Sequence, residues 1–382
     1  MKNKSIVFMQ LTGAKTSTGT GGGLIFQERL AKMLLQRGWS VYAITNSSDL
    51  YGFSFLGEKR FSVNFGSDKP GIYGFFFFNR KKLALQLSEF ASKIPPEAIY
   101  VTVDPFPKDI FGARFLLNAF RKKIVVTMHH ITPSPLFHPV RRGIIRSIVA
   151  WLISVNAILF VKLNQVPVFL DNKRIAKCAG WNLEGLLMEM PLSLEKYVLI
   201  KPTNFKNVAC FVGRLAANKG VADLISAWKI VVRKLPDAKL ILIGHYYGNG
   251  KYQKLIRKLS LGSNIVITGY VQEDEKRKLL ESASLFTFPS YEEGWALAVM
   301  EAVNLGLLPI LYELPAYDYL CSREIKVRAG DIKGFAERII YFFEHPDLSR
   351  SILYQLQNCI SRFTDDYVFN TWLKQISERY PD

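Results

Sequence analysis

The sequence predicts an α/β chain of two similar halves, each a parallel sheet with crossover helices. Three observations predict it. A strand–helix–strand order opens the chain near Ser5 and starts afresh near Val208. A polar stretch with Pro and Asn, Lys201 to Lys206, separates the two series. A length of 382 residues is more than one core usually serves, so two domains are expected, 1–200 and 201–364.

Taken in order, Ser5 to Met9 reads as a short apolar strand, followed by a polar loop from Thr12 to Gly23. Leu24 to Arg37 has helical spacing, with Ile25, Phe26, Leu30, Met33 and Leu34 on one side and Gly38 to end it. Trp39 to Thr45 is the next strand. Ala98 to Val103 and Lys123 to Met128 are further buried strands, ending at Asp104-Pro105 and His129-His130. The segment Arg141 to Val161 is read as a helix to about Ser154 and a strand from Ala157 to Val161. Two readings of it stand: a core helix and core strand, or a helix lying in a membrane interface. Leu186 to Tyr197 closes the first half.

In the second half, strands are expected at Val208–Val212, Ala238–Ile243, Ile265–Thr268, Ser284–Phe288 and Leu308–Tyr312. Helices are expected at Val221–Leu235, Lys251–Leu261 and Glu273–Ser282, and after Trp295. Leu348 to Tyr380 reads as helical.

Composition narrows the function. Apolar residues make up 49% and charged residues 21%, which supports a globular protein with ample core. The four cysteines are far apart, which argues against a disulfide framework or a zinc site and fits a reducing, cytoplasmic setting. The basic N-terminus with its short apolar run reads as a first strand, not a signal peptide. The net charge of +18 calls for an anionic partner. Its clusters, Arg80-Lys81-Lys82, Arg121-Lys122-Lys123 and Arg141-Arg142, are not interleaved with aromatics, so no nucleic acid is expected. An anionic membrane surface suits them better, helped by Phe75 to Phe78 and the helix near Trp151.

Chemistry concentrates where strands end. Val208–Val212 runs into Gly213-Arg214 and then Lys219-Gly220, which puts two cations on one loop at the carboxyl edge of a parallel sheet. That arrangement suits an anion, above all a diphosphate. Gly269-Tyr270-Val271 sits between a strand and a helix and offers the Val271 backbone to a nucleotide base. The acids Glu273 to Glu275 are better read as a helix start. Finally, Pro289 to Ala302 passes from strand to turn to helix. There Glu293 lies at the mouth of a helix whose open amides follow Gly294, and Glu301 lies in its second turn.

Together these motifs resemble a known family. G-R-x(4)-K-G, then G-Y-V, then P-S-x-x-E-G-x(6)-E-A resemble the C-terminal half of retaining glycosyltransferases of family 4. In the N-terminal half, Gly21-Gly22, Leu30-Ala31, Arg37-Gly38 and Thr127-Met128-His129 (its T-x-H-D motif) resemble the same family. So does Phe363 to Tyr380 with Trp372, as a terminal helix (about 365–382) that packs back on the first domain. The resemblance implies the GT-B fold: two Rossmann-like domains with parallel sheets facing a central cleft.

It also implies roles. Arg214 and Lys219 hold the donor diphosphate, Gly22 approaches the distal phosphate, Glu301 holds the ribose and Val271 faces the base. Glu293 and the amides of Gly294, Trp295, Ala296 and Leu297 hold the transferred sugar, and His129 touches it. The implied activity is metal-independent transfer of a sugar from a UDP-, GDP- or similar nucleotide sugar to a glycan, lipid-linked or protein acceptor, with retention and no cofactor. Surface polysaccharide, glycolipid or glycoprotein assembly is the implied setting, at the cytoplasmic face of a membrane. Two departures stand out: the T-x-H-D acid is His130, and Trp295 replaces a common phenylalanine, which points to a reshaped sugar pocket.

A dehydrogenase lacks support, because no glycine fingerprint follows the first strand and Thr45-Asn46 ends the second without an acid. A nucleotide-sugar epimerase or a sugar phosphorylase stays open. A basic membrane- or nucleic-acid-binding protein would explain the charge but not the motifs.

Overall fold

The computed structural model describes residues 4–11, 22–47, 52–64, 78–129, 131–132, 144–189, 191–193, 205–246 and 250–381. Expectations placed on the loop at 12–21, on 75–77, on His130 and on 141–143 lie outside these residues. So does the expected domain boundary at 200. The chain divides into two compact units: Met1–Leu192 with Asp365–Asp382, and Ser193–Thr364.

The first unit begins with β1 (Ser5–Gln10), α1 (Gly22–Gln36), β2 (Ser40–Asn46), β3 (Arg60–Val63), α2 (Arg80–Lys93) and β4 (Ile99–Thr102). It continues with α3 (Pro107–Phe120), β5 (Lys123–Met128), α4 (Ile144–Asn164), β6 (Val168–Leu170), α5 (Lys173–Cys178) and β7 (Leu187–Glu189). Its seven strands run parallel in the order β3-β2-β1-β4-β5-β6-β7. β1 is buried on both faces, as its unbroken apolar run requires. Val7 and Met9 join Leu87, Ile110 and Phe160 in one core, while Phe8 stacks on Phe53 at 5.3 Å. The basic cluster Arg80-Lys81-Lys82 opens α2, where Asn79 caps the Lys82 amide at 2.9 Å.

The expected break after Ser154 is not there. Ile144–Asn164 is one helix, and the strand placed at 157–161 belongs to it. Ala157, Ile158, Phe160 and Val161 are buried with helical spacing. No glycine or proline separates Ser154 from Ala157, so nothing interrupts the helix until Gln165 turns left-handed (φ 53°) ahead of Pro167. A run of β-branched residues fits either period, and packing decided it. The window Ser147–Asn164 is long and apolar enough to cross a membrane by length and composition, and 39% of it is buried in the protein.

The second unit contains β8 (Val208–Val212), α6 (Val221–Lys234), β9 (Lys239–Ile243), α7 (Lys251–Lys258), β10 (Ile265–Gly269) and α8 (Glu273–Glu281). There follow β11 (Leu285–Phe288), α9 (Leu297–Asn304), β12 (Leu308–Tyr312), β13 (Lys326–Val327), α10 (Ile332–Glu344) and α11 (Pro346–Ile360). Its six strands are parallel in the order β10-β9-β8-β11-β12-β13. The strand order reverses between β8 and β11, and the crevice at the carboxyl ends of two such strands is where open α/β sheets take ligands. In the first unit the same point lies between β1 and β4.

A last helix, α12 (Asp365–Arg379), belongs to the first unit. Trp372 is fully buried there between Trp39 (5.4 Å) and Phe169 (6.2 Å). Asp365 pairs with Arg29 at 2.7 Å, and Gln375 exchanges two hydrogen bonds with the Glu189 backbone.

The cysteine reading needs correction. Cys321 and Cys359 form a disulfide, with Cα atoms 6.6 Å apart, inside the usual range. Their separation of 38 residues shows no spacing signal; the loop after β12 and the end of α11 meet only in the folded unit. Cys210 is free and buried.

Candidate functional site

Two loops meet at the switch point of the second sheet. One leaves β8 as Gly213-Arg214 and returns through Lys219-Gly220 into α6. The other leaves β11 as Pro289-Ser290-Tyr291-Glu292-Glu293-Gly294. They are locked together. The Tyr291 amide donates to the Asn218 carbonyl at 2.9 Å, and the Ser290 hydroxyl donates to the same oxygen at 3.3 Å. Gly220 has φ +67°, and a Cβ there would lie 1.9 Å from the Pro289 oxygen, so only glycine fits. Behind the loops, Asp223 in the first turn of α6 accepts hydrogen bonds from the Tyr291 and Tyr312 hydroxyls, the latter at 3.0 Å.

Within this frame the two expected cations differ. Arg214 is exposed and makes no ion pair among the described residues. Lys219 is mostly buried, forms an ion pair with Glu293, donates to the Glu292 carbonyl at 3.5 Å and lies 5.6 Å from the Phe288 ring centre. The structure thus brings Lys219 and Glu293 together, although the resemblance gives one to the diphosphate and the other to the sugar. Two tyrosines that the sequence did not single out stand near Glu293. Burial, and then the Glu293 charge, push the Tyr317 and Tyr319 phenols well above their ordinary range. The Tyr317 hydroxyl is buried without a hydrogen-bond partner among the described residues. Only the Pro-Ala-Tyr turn after β12 could have hinted at it.

Ala296 precedes α9 with φ 59°, a left-handed conformation that an alanine adopts at a cost of about 1 kcal/mol. It turns the chain so that the Leu297 and Ala298 amides lead the helix, while the Val299 amide donates to the Ala296 carbonyl at 2.9 Å. The Trp295 ring is buried, stacked on Tyr319 at 4.7 Å and edge-on to Phe363 at 5.1 Å, and its Nε1–H donates to Met300 Sδ at 2.7 Å. Any influence of this ring on a sugar pocket therefore runs through its packing on Tyr319, Phe363 and Met300 and through its backbone.

Glu301 lies in the second turn of α9, partly exposed, with its carboxylate 3.1 Å from Lys276 Nζ. Lys276 also pairs with Glu273 at 2.6 Å. Burial opposes the charge on Lys276, but Glu301 and Glu273 prevail and raise its pKa. Val271 is half-buried just after β10, and the neighbouring Tyr270 stacks on His245 at 5.0 Å. Glu273, Asp274 and Glu275 occupy the first turn of α8, where a helix favours acids.

In the first unit, Gly22 is the first residue of α1 and His129 follows β5. His129 Nδ1 is 3.0 Å from Asp171 Oδ1. Burial disfavours the imidazolium, but Asp171 and then Asp104 outweigh it, so the His129 pKa is raised. Burial also raises Asp104, against the pull of His129.

With this geometry in view, residues 200–357 match the family described as Glycosyl transferases group 1. The match lies within the second half of the chain and takes in both loops of the site. The chain's α/β architecture with two parallel sheets is the GT-B fold. Among solved structures it resembles sucrose-phosphate synthase from Thermosynechococcus elongatus, with a TM-score of 0.79 at 14% identity over 99% of both chains. It also resembles Anabaena HepE in complex with UDP and glucose, with a TM-score of 0.75 at 16% identity, covering 98% of this chain and 100% of that one. In sequence it is 22% identical over 196 residues to the GDP-mannose:cellobiosyl-diphosphopolyprenol alpha-mannosyltransferase of Xanthomonas oryzae. That match takes in 47% of this chain and 52% of the relative, so the chain spans about half of its length.

Proposed function

We propose that this chain is a group 1 glycosyltransferase that moves a sugar from a nucleoside-diphosphate sugar to an acceptor hydroxyl with retention at the anomeric carbon. The observation that carries the reading is the pair of locked loops at the β8/β11 switch point. There an exposed Arg214, the Lys219–Glu293 pair and the open first turn of α9 lie side by side, with Glu301 one turn further on. Arg214, Lys219 and the α9 amides suit a diphosphate, Glu301 the ribose and Val271 the base. Glu293 with the amides of Gly294 to Leu297 suits sugar hydroxyls. Support comes from HepE, which holds UDP and glucose, and from the mannosyltransferase, whose name gives a GDP-sugar donor and a diphosphopolyprenol acceptor. For this chain the donor class is accordingly a UDP-, GDP- or similar nucleotide sugar, and the acceptor class a glycan, lipid-linked or protein hydroxyl.

In the transfer, the bond from C1 to the diphosphate oxygen breaks and a bond from C1 to the acceptor oxygen forms on the same face. The acceptor proton passes to the departing diphosphate. Positive charge builds on the sugar and negative charge on the leaving group. Fixed cations that meet the leaving charge lower the barrier, and losing one such group typically costs about 10²–10³ in rate. Glu293 is held by Lys219 and positions the sugar; it is not assigned as a nucleophile. We take Arg214 and Lys219 to supply the charge stabilisation without a metal, which transfer in EDTA checks. The deciding experiment is a melting screen against UDP, GDP, ADP and their sugars, followed by product analysis. A stabilising nucleotide sugar and a glycosylated acceptor are expected, both weakened in Arg214→Ala. Release of nucleoside diphosphate with no glycosylated acceptor would instead favour a phosphorylase or epimerase.

One surface favours an acceptor at a membrane. Along α4, Ile145, Ile148, Leu152, Leu159 and Leu163 are 40–78% exposed with helical spacing. Between Asp109 and Asp171 the chain has Lys and Arg but no acid. An apolar stripe within a basic segment suits an anionic bilayer, at its cytoplasmic face. Binding to anionic but not zwitterionic vesicles at low salt is expected, and its loss in Ile148→Glu/Leu152→Glu. Equal binding by that variant would remove α4 from the contact.

A further inference from the structure

The T-x-H-D motif of the resembled family puts an acid directly after the histidine, and this chain has His130 there. The fold brings an acid from elsewhere. β5 and β6 are parallel neighbours with Thr127 beside Phe169 and Met128 beside Leu170. One step further along that register lie His129 and Asp171. The Asp171 side chain is only 3% exposed, and its Oδ1 is 3.0 Å from His129 Nδ1. The other ring nitrogen, Nε2, is buried and has no hydrogen-bond partner among the described residues. It lies against the first turn of α1: a Cβ on Gly23 would sit 2.3 Å from His129 Cδ2 and 2.6 Å from Nε2. The ring is therefore held by a carboxylate on one side and fitted against a glycine on the other.

We propose that Asp171 is the positioning residue for His129, directing Nδ1–H to its own carboxylate and leaving Nε2–H as a donor for a ligand oxygen at the α1 first turn. This deepens the transferase reading and rests on it, since the oxygen is then a hydroxyl of the sugar or an oxygen of the distal phosphate.

The chemistry follows from the donor inventory. A neutral imidazole has one donor nitrogen, and an imidazolium has two. Paired with Asp171 and charged, His129 donates from both nitrogens, and Nε2–H then has no acceptor until a ligand brings one. Asp171 comes from β6 and Asp104 from the end of β4, and both favour the charged ring. Burial opposes it, as does the positive end of α1. Of the polar side chains on α1, Gln27 donates to the Thr127 hydroxyl at 3.3 Å and Glu28 accepts from the Phe53 amide at 2.8 Å. The two acids prevail and the His129 pKa is raised.

The test reads His129 itself. The chain has five histidines, and His129→Asn identifies the His129 ring signal in a proton NMR titration. Asp171→Asn is expected to lower the His129 midpoint by about one pH unit or more. It should also lower kcat by about 10- to 100-fold, through loss of a charged hydrogen bond, and move the alkaline limb of the rate profile to lower pH. Asp171→Glu keeps the charge and is expected to hold the midpoint near the wild-type value, so it decides the question if Asp171→Asn does not fold. An unchanged His129 midpoint in Asp171→Asn, or a lowered one in Asp171→Glu, overturns the proposal. If the midpoints move as expected but the wild-type protein transfers no sugar, the dyad stands and the transferase reading falls.

Discussion

Replacing Lys219 with alanine tests whether the two loops form one electrostatic unit. The Lys219 and Glu293 side chains are 16% and 9% exposed, so this is a mostly buried pair. Removing one member of such a pair strands the other, at a typical cost of about 3–5 kcal/mol. The residual exposure of both side chains lowers this, so about 2–3 kcal/mol is expected, which is roughly 5–10 °C in Tm for a unit of this size. Lys219→Ala/Glu293→Gln removes the stranded charge and should recover more than half of that loss. Melting of the wild type, both single variants and the double variant gives the coupling directly. A loss below about 0.5 kcal/mol in Lys219→Ala, or a double variant no better than the single one, refutes the reasoning and leaves Lys219 as a solvated cation. Transfer should fall by about 10²–10³ in Lys219→Ala in either case if the lysine meets the leaving diphosphate.

Other outcomes are expected from the same geometry. Ala296→Gly removes the left-handed alanine and should leave the protein as stable or up to about 1 kcal/mol more stable by chemical denaturation. Gly220→Ala combines a positive φ with a clash on the Pro289 carbonyl; it should destabilise by about 2 kcal/mol or more and abolish nucleotide-induced stabilisation in a melting assay. The raised His129 pKa sets a pH dependence. Its contribution to stability is complete below the unfolded value of about 6.5 and is lost as pH rises through the raised folded value. Denaturation from pH 6 to pH 9 should therefore show a decline that Asp171→Asn flattens.

Much of the fold is legible because it depends on local pattern. Apolar runs such as Val208 to Val212, which ends at Gly213, mark the strands of the parallel sheets. The helical spacing of Leu24 to Arg37 with Gly38 behind it marks a helix and its end. Strand-then-loop order also places Arg214, Lys219, Glu293 and Glu301 at the carboxyl edge of one sheet, with no contact known. Local pattern fails where two periods fit. Ile144 to Val161 satisfies a strand and a helix about equally, and burial of its Ala157–Val161 face makes it one helix. It fails for Trp295 too, since the substitution is visible but the direction of the ring is not.

The sequence by itself determined two α/β halves, their strand-end loops and the residues those loops carry, because period, breakers and turn chemistry act over a few residues. The tertiary structure alone decided who meets whom. Asp171 reaches His129 across 42 residues because β5 and β6 are parallel and in register. Lys276 meets Glu301, Tyr317 stands near Glu293 and Cys321 meets Cys359 for the same kind of reason. Strand order and register are global choices, set by how whole faces bury against each other, and no short stretch of sequence contains them.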